Sequence, residues 1–193
     1  MVVYSLITTQ SNIQEAVYGR IRNINDVIEG ISGGTISQDQ KNTLLGQCYF
    51  FRAWCYYNIV KWYGGVPIVT ETQDPVVTSV TPRSSTKACI EFMLSDLDKA
   101  ATLLASKTMS GGWSGDDYGR VTTGTAQALK GRVLLLWASP IFNRANDESR
   151  WTKAYTVMKQ EMDSIKACGY GLYQGSGENA QGYANIFTQS VKN

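Results

Sequence analysis

Few residues in this chain could do acid–base chemistry. Its 193 residues include no histidine, so the commonest general base and the commonest metal ligand are both missing. Among the acids, Asp96 with Asp98 and Asp116 with Asp117 are close in sequence. A glycosidase needs two carboxylates roughly 5 to 10 Å apart in a cleft, usually from different elements, so these pairs are poor candidates. The sequence predicts no catalytic residues, no metal site and no cofactor, with Asp96 and Asp98 facing solvent on a helix.

A tryptophan in a polar loop is the best candidate for ligand contact. Trp113 lies in a glycine- and serine-rich stretch beside Asp116, Asp117 and Tyr118. Sugars stack their C–H faces on flat aromatic rings, while carboxylates accept hydrogen bonds from their hydroxyls. These four residues are therefore predicted to bind a sugar-like ligand. The alternative is that Trp113 folds back to cover a helix end.

Cysteine spacing and charge argue against other kinds of site. The cysteines are residues 48, 55, 89 and 168, and the first two are seven positions apart on one helical face, too far to bridge within that helix. We expect all four to be buried as small hydrophobic residues. Lysine and arginine total 18 against 16 acids and are dispersed, which disfavours nucleic-acid binding. The longest apolar run, 133–138, is far short of the roughly 20 residues that span a bilayer.

Five amphipathic segments must position these residues. Apolar side chains recur at steps of three and four, which is typical of helices with one buried face. The pattern predicts helices at about 13–31, 37–63, 86–106, 123–142 and 147–168. The predicted core stripe of the first helix is Ile13, Val17, Ile21, Ile24, Ile28 and Ile31. That of the second is Leu44, Cys48, Phe51, Cys55, Ile59 and Trp62, and that of the third is Cys89, Met93, Leu97, Ala100 and Leu104.

Two long loops separate these segments. Residues 64–82 contain prolines and little helical period, which predicts an extended loop with a short strand at 66–69. Residues 107–121 form the glycine-rich tryptophan loop. The predicted fold class is all-α, with antiparallel helical hairpins stacked in a tetratricopeptide-like manner and joined by long irregular loops.

Arg52 is unusual because the rest of its helix is rich in aromatic residues. An arginine there is odd on an exposed face and costly on a buried one unless the guanidinium is paired. We expect an ion pair or a clamp on backbone carbonyls. Arg132 occupies an equivalent position in the fourth helix, eighty residues later, and is expected to behave in the same way.

The segment 46–67, GQCYFFRAWCYYNIVKWYGGVP, carries a family resemblance. It resembles the pattern FLRA-x-x-Y-x-x-L-x-x-x-[FY]-G-[GD]-[VI]-P of the SusD/RagB family of surface nutrient-binding lipoproteins. Later segments are similar to that family in the same order, over about residues 11–190. The matching residues are Phe51, Arg52, Ala53, Tyr56, Ile59, Tyr63, Gly64, Gly65, Val66, Pro67, the run 82–85, the helix 90–104, Gly119, Arg120, the run 126–133, Trp151, Ala154, Gly169, Tyr170, Leu172 and Tyr173.

The resemblance implies a function that the residues alone do not give. It implies a cell-surface protein of the outer membrane that captures a glycan or another polymeric nutrient and delivers it to a TonB-dependent transporter, without cleaving it. Helical hairpins would form the scaffold and loops the ligand site. The motif residues that the resemblance assigns to structure are Arg52, Tyr56, Gly64, Gly65, Pro67, Arg83 and Arg120.

Members of that family are several times longer than 193 residues. The resemblance therefore implies that residues 1–193 are one N-terminal helical domain of a longer lipoprotein, without its leader. It also implies that contact with the membrane is made only through an N-terminal lipid anchor.

Two other classes of protein stay open. A tetratricopeptide adaptor binds peptide termini in a concave groove, but such grooves need clustered lysine, arginine and asparagine, and the stripes here are apolar or aromatic. A fragment of a helical glycosidase would need a well-placed pair of acids.

Overall fold

The computed structural model describes residues 2–73, 81–108 and 112–171. In these ranges it contains five α-helices, one short 3-10 turn and no β-strand, so the predicted all-α class is confirmed and the strand expected at 66–69 is wrong. The helices are α1 (Val2–Gly33), α2 (Gln38–Tyr63), α3 (Thr86–Leu103), α4 (Thr123–Ala138) and α5 (Glu148–Ala167), and the 3-10 turn is Gly115–Asp117.

Each helix packs on its neighbours in sequence. Gly46 near the start of α2 lies against Leu104 just past the end of α3, while Arg52, further along α2, bonds Asp96 in the middle of α3. Residue numbers therefore rise along α2 as they fall along α3. The same antiparallel relation joins α4 and α5, where Gly124 contacts Tyr170 and Gly131 contacts Met158. The predicted stack of antiparallel helices is confirmed.

Local chemistry fixes where the helices begin. Ser37 caps α2 in a capping box with Gln40, and Thr122 caps α4 in the same way with Thr125. In each box two side chains satisfy amides that the first turn leaves without helical partners. Asp147 caps α5, at the start predicted for that helix.

Three predicted helix ends differ from the structure. Helix α1 begins at Val2 rather than near residue 13, and α3 ends at Leu103 rather than 106. Helix α4 ends at Ala138 rather than 142, because Ser139 precedes Pro140 and is extended, with a ψ of 154°. A proline disfavours helical geometry in the residue before it.

The apolar stripes of α1 and α3 form much of the core. All five residues predicted for α3 are buried. On α1, Val17, Ile21 and Ile31 are buried, while Ile24 and Ile28 are half-buried. These stripes are therefore confirmed, apart from Ile13, which lies outside the residues whose side chains are described.

The stripe predicted for α2 is wrong at three of its six positions. Leu44 is 38% exposed, Phe51 47% and Trp62 70%. The buried positions of α2 are Gly46, Phe50, Arg52, Ala53, Cys55, Tyr56, Ile59 and Val60. Because α2 packs against α1, α3 and α4, its buried surface is wide and lies on a different side of the helix. Apolar residues surround most of the circumference of α2, so spacing alone could not select the buried side.

A buried ion pair lies between α1, α2 and α3. Arg52 donates from Nε and Nη2 to the two carboxylate oxygens of Asp96, at 2.7 and 2.9 Å, and from Nη1 to Asn25 Oδ1 at 3.0 Å. The rings of Tyr49 and Phe92 lie 5.2 Å from the guanidinium carbon. Burial opposes the charge of Arg52, but its bonds to Asp96 hold its pKa above the ordinary value. The ion pair expected for Arg52 is therefore present, and the structure shows that its partner is Asp96.

Two expectations about charged residues are wrong. Asp96, expected to face solvent, is fully buried because it neutralises Arg52. Arg132, expected to resemble Arg52, is exposed on α4. Asp98 is exposed as expected, and it forms an ion pair with Lys130 at 2.7 Å.

The Gly-Gly-Val-Pro motif closes α2 and fixes the chain that follows it. Gly64 has a φ of 71°, a left-handed value that favours glycine. A Cβ on Gly65 would lie 2.0 Å from the carbonyl oxygen of Ser84. Arg83 donates to the carbonyls of Gly65 and Tyr63, which holds the start of α3 against the end of α2.

Tyr56 holds the next residues of this segment. Its hydroxyl accepts a hydrogen bond from Val69 N at 2.8 Å, and Tyr18 on α1 donates to Pro67 O at 2.9 Å. Burial raises the pKa of Tyr56 to about 12. The segment is thus held by side chains rather than by strand pairing.

The expected burial of all four cysteines is only partly confirmed. Cys55 and Cys89 are buried, whereas Cys48 and Cys168 are partly exposed, and all four are free thiols. Within the described ranges, no helix combines the length and hydrophobicity needed to cross a bilayer.

Candidate functional site

The tryptophan loop connects α3 to α4 and is closed at its base. Thr123 N donates to Lys107 O at 3.0 Å, and Lys107 N donates to Leu104 O at 2.8 Å. The ends of the loop are therefore fixed on two packed helices, as in a compact surface loop. Such a base can hold the side chains of the loop in place.

Trp113 is half-buried in this loop. Its Nε1 donates to Val121 O at 3.0 Å. Lys107 Nζ lies 4.8 Å and the guanidinium carbon of Arg120 5.6 Å from the centre of the indole ring. Arg120 also pairs with Asp117 at 2.7 Å. The indole therefore folds back towards the start of α4, which agrees with the expectation that Trp113 covers a helix end, but it keeps part of its surface exposed.

Trp113 and Arg120 lie in the wall between two cavities. The first cavity, of about 210 Å³, is rich in hydroxyl groups. It is lined by Thr108, Trp113, Tyr118, Gly119, Arg120, Thr122, Thr125 and Tyr170. Thr122 and Tyr170 are hydrogen-bonded to each other through their hydroxyls, which ties the end of α5 to the start of α4.

The second cavity, of about 320 Å³, lies between the loop and the first turns of α2. Its lining combines carboxylates, amides and cations around the same indole. The lining residues are Ile36, Asp39, Gln40, Thr43, Leu44, Gln47, Lys107, Trp113, Asp117 and Arg120. The acids Asp39 and Asp117 balance the bases Lys107 and Arg120, so the lining of this cavity carries no net charge.

The structure brings together three of the four predicted ligand residues. Trp113 lines both cavities, Tyr118 the first and Asp117 the second, while Asp116 is exposed and lines neither. Arg120, assigned to structure by the resemblance, also lines both cavities.

Sequence reasoning missed the residues that helices contribute to these cavities. In the sequence, Thr122 and Thr125 can be recognised only as a helix cap. Gln40 can be recognised only as part of a capping box. Tyr170 follows the glycine that ends α5. No spacing rule relates these residues to Trp113, because packing of the helices brings them together.

The chemistry of the two cavities suits a neutral ligand rich in hydroxyl groups. Threonine and tyrosine hydroxyls both donate and accept hydrogen bonds, carboxylates accept them, and amides do both. The indole is partly exposed, and an aromatic ring of this kind can stack on a sugar ring. Among the described residues, no cluster of three acids or cysteines has the arrangement of a metal site.

Comparison with known proteins identifies the family. Residues 3–135 match the family model SusD-like, described as "Starch-binding associating with outer membrane". That is more than half of the chain. The chain belongs to the SusD-like family.

Curated SusD-like relatives are much longer than this chain. It is 26% identical over 124 residues to a SusD-like protein of Formosa agariphila, covering 64% of this chain and 23% of that protein. It is 23% identical over 132 residues to a SusD-like protein of Bacteroides ovatus, covering 68% and 21%. The chain thus spans about a quarter of the length of these relatives.

Solved structures of SusD-like proteins share its fold. A SusD-like protein of Bacteroides fragilis superposes with a TM-score of 0.73 at 30% identity, covering 91% of this chain and 30% of that one. A laminarin-binding SusD-like protein superposes with a TM-score of 0.70 at 19% identity, covering 94% and 35%. The family description concerns binding at the outer membrane.

Proposed function

We propose that this chain binds a neutral glycan and belongs to a surface system that passes the glycan to a TonB-dependent transporter of the outer membrane. The observation that carries the proposal is the match of residues 3–135 to a starch-binding, outer-membrane-associated family. A lipid anchor at the cell surface and a SusC-like transporter as partner are parts of the same proposal. The activity proposed is binding, without cleavage of the ligand.

We place the ligand site at the two cavities beside Trp113. Three features support this position: a partly exposed indole, hydroxyl and amide groups on either side of it, and balanced charge. Backbone hydrogen bonds fix the base of the loop, which lowers the entropic cost of ordering its ends when a ligand binds. Asp116 lines neither cavity, so its proposed role rests only on its place in the same loop.

Trp113→Ala is expected to weaken glycan binding about five- to hundredfold, since an aromatic contact in a favourable site contributes roughly 1 to 3 kcal/mol. The same change removes the hydrogen bond to Val121 and should cost about 1 kcal/mol of stability. Calorimetric titration with starch and laminarin oligosaccharides measures the affinity, and urea denaturation measures the stability.

Two further variants separate stacking from packing. Trp113→Phe keeps an aromatic surface but loses the indole N–H, so it should retain most of the affinity. Trp151→Ala removes a partly exposed tryptophan on α5 that lines neither cavity, and this variant should bind as wild type does. If Trp113→Ala loses several kcal/mol of stability with unchanged affinity, Trp113 serves packing and the site lies elsewhere.

A further inference from the structure

The wall that Trp113 and Arg120 form separates two unlike sets of side chains. The charged residues that line the second cavity and not the first are Asp39, Lys107 and Asp117. The first cavity is lined instead by hydroxyl-bearing residues, namely Thr108, Tyr118, Thr122, Thr125 and Tyr170. Because the indole lies in the wall, its two sides border different chemistry, and a single sugar ring can stack on only one side.

Two cations contact the indole from the side of the second cavity. Lys107 lines only that cavity, and its Nζ lies 4.8 Å from the centre of the indole ring. Arg120 lines both cavities, and its Nε bonds Asp117 at 2.7 Å. Since Asp117 lines only the second cavity, the ion pair is directed to that side. The ammonium and the ion pair therefore border the same side of the ring.

A sugar ring on that side would have to displace a cation. Carbon atoms in van der Waals contact are about 3.5 to 4.0 Å apart, so a ring stacked there would need the space of the Lys107 ammonium. Its displacement breaks a favourable cation–π contact, and movement of Arg120 breaks the bond to Asp117. The first cavity imposes less of this cost, because Arg120 is the one charged residue among the described residues that line it.

A row of hydroxyl groups borders the first cavity. The hydroxyl oxygens of Thr122 and Thr125 are hydrogen-bonded at 2.9 Å, and that of Thr122 is also hydrogen-bonded to the hydroxyl of Tyr170. A hydroxyl can donate one hydrogen bond and accept two, so Thr125 and Tyr170 at the ends of the row keep capacity for a ligand. The hydroxyls of a sugar can bond to this row without first breaking an ion pair.

We infer that one neutral sugar ring occupies the first cavity and stacks on the adjacent side of the Trp113 indole, an inference that rests on the proposed function. The cavity volume of about 210 Å³ is below the range of roughly 300 to 1,000 Å³ of drug-sized ligand sites, so it suits a single ring. Lys107 is then a positioning residue that holds the indole from the opposite side. Asp117 positions Arg120 in the same way, without contact to the ring.

A matched pair of threonines tests which cavity holds the ring. Thr108 lines the first cavity and Thr43 the second, and both are half-buried. Valine keeps the shape of either side chain and removes the hydroxyl. In calorimetric titration with starch and laminarin oligosaccharides, Thr108→Val should lower the affinity about two- to tenfold, the effect of one neutral hydrogen bond. Thr43→Val should lower it less, and urea denaturation checks the fold of both variants.

Substitutions of Lys107 test its role as a positioning residue. Lys107→Met keeps an unbranched side chain but removes the charge, and it should weaken binding about two- to fivefold, the effect of one exposed cation–π contact. Lys107→Arg keeps a cation beside the indole and should retain most of the affinity. A higher affinity of Lys107→Met would show that the ring stacks on the side of the second cavity.

The outcomes separate this inference from the proposed function. If wild type binds neither oligosaccharide, the proposed function fails and the inference fails with it. If wild type binds, the inference alone is overturned by any of three results. These are no effect of Thr108→Val, a loss for Thr43→Val at least as large as that for Thr108→Val, and unchanged or stronger binding by Lys107→Met.

Discussion

Asp96→Ala is expected to lower the free energy of unfolding by about 3 to 5 kcal/mol, because it leaves the Arg52 guanidinium charged and buried without its counter-ion. Both side chains are buried, and two hydrogen bonds of 2.7 and 2.9 Å join them. The remaining bond from Arg52 to Asn25 cannot neutralise the charge. Urea denaturation followed by circular dichroism measures the loss, with the slope of the transition as a check on two-state unfolding.

Two controls test the cause of this loss. Glu91→Ala breaks the exposed pair with Lys87 on the same helix and should cost less than about 0.5 kcal/mol. The double change Arg52→Met with Asp96→Leu removes both charges and should recover most of the stability, since apolar residues often replace a buried pair at little cost. A loss for Asp96→Ala no larger than that for Glu91→Ala would show that the pair is not what stabilises this region.

Gly65→Ala is expected to cost about 3 kcal/mol, the upper part of the range for overpacked positions. The added methyl would lie 2.0 Å from the carbonyl oxygen of Ser84 and 2.9 Å from the amide nitrogen of Thr86. Both are backbone atoms at the start of α3, so relief requires the contact between α2 and α3 to open. The midpoint of urea denaturation should fall accordingly.

Gly19→Ala is the matched control for that change. A Cβ on Gly19, which lies within α1, meets nothing within 4 Å. Alanine at such a position should stabilise the helix by about 0.5 to 1 kcal/mol. If the two alanine variants changed the free energy of unfolding by similar amounts, the close approach of the two backbone segments at Gly65 would be contradicted.

Sequence patterns located the helices because each helix has an apolar period of three and four residues within its own segment. All five residues that the period of α3 selects are buried, and the predicted start of the second helix at residue 37 coincides with the capping box of Ser37. The buried side of α2 could not be predicted in the same way. Its apolar residues surround the helix, and the choice between Phe50 and Phe51 depends on which neighbours pack against it.

The candidate site was predictable in part. Trp113 stood out because a tryptophan in a glycine-rich loop has no helical face on which to be buried. Its contacts with Lys107, Val121 and Arg120 depend on how the loop closes, which composition does not determine. The burial of Asp96 was missed for a related reason, since its partner is 44 residues away in sequence.

Nuclear magnetic resonance of the indole N–H groups tests the proposed site most directly. The chain has five tryptophans, which single Trp→Phe variants can assign. During titration with a starch or laminarin oligosaccharide, the Trp113 signal should shift and saturate, while those of Trp54, Trp62, Trp137 and Trp151 stay in place. If no indole signal moves, or if the others move without Trp113, glycan binding beside Trp113 is contradicted.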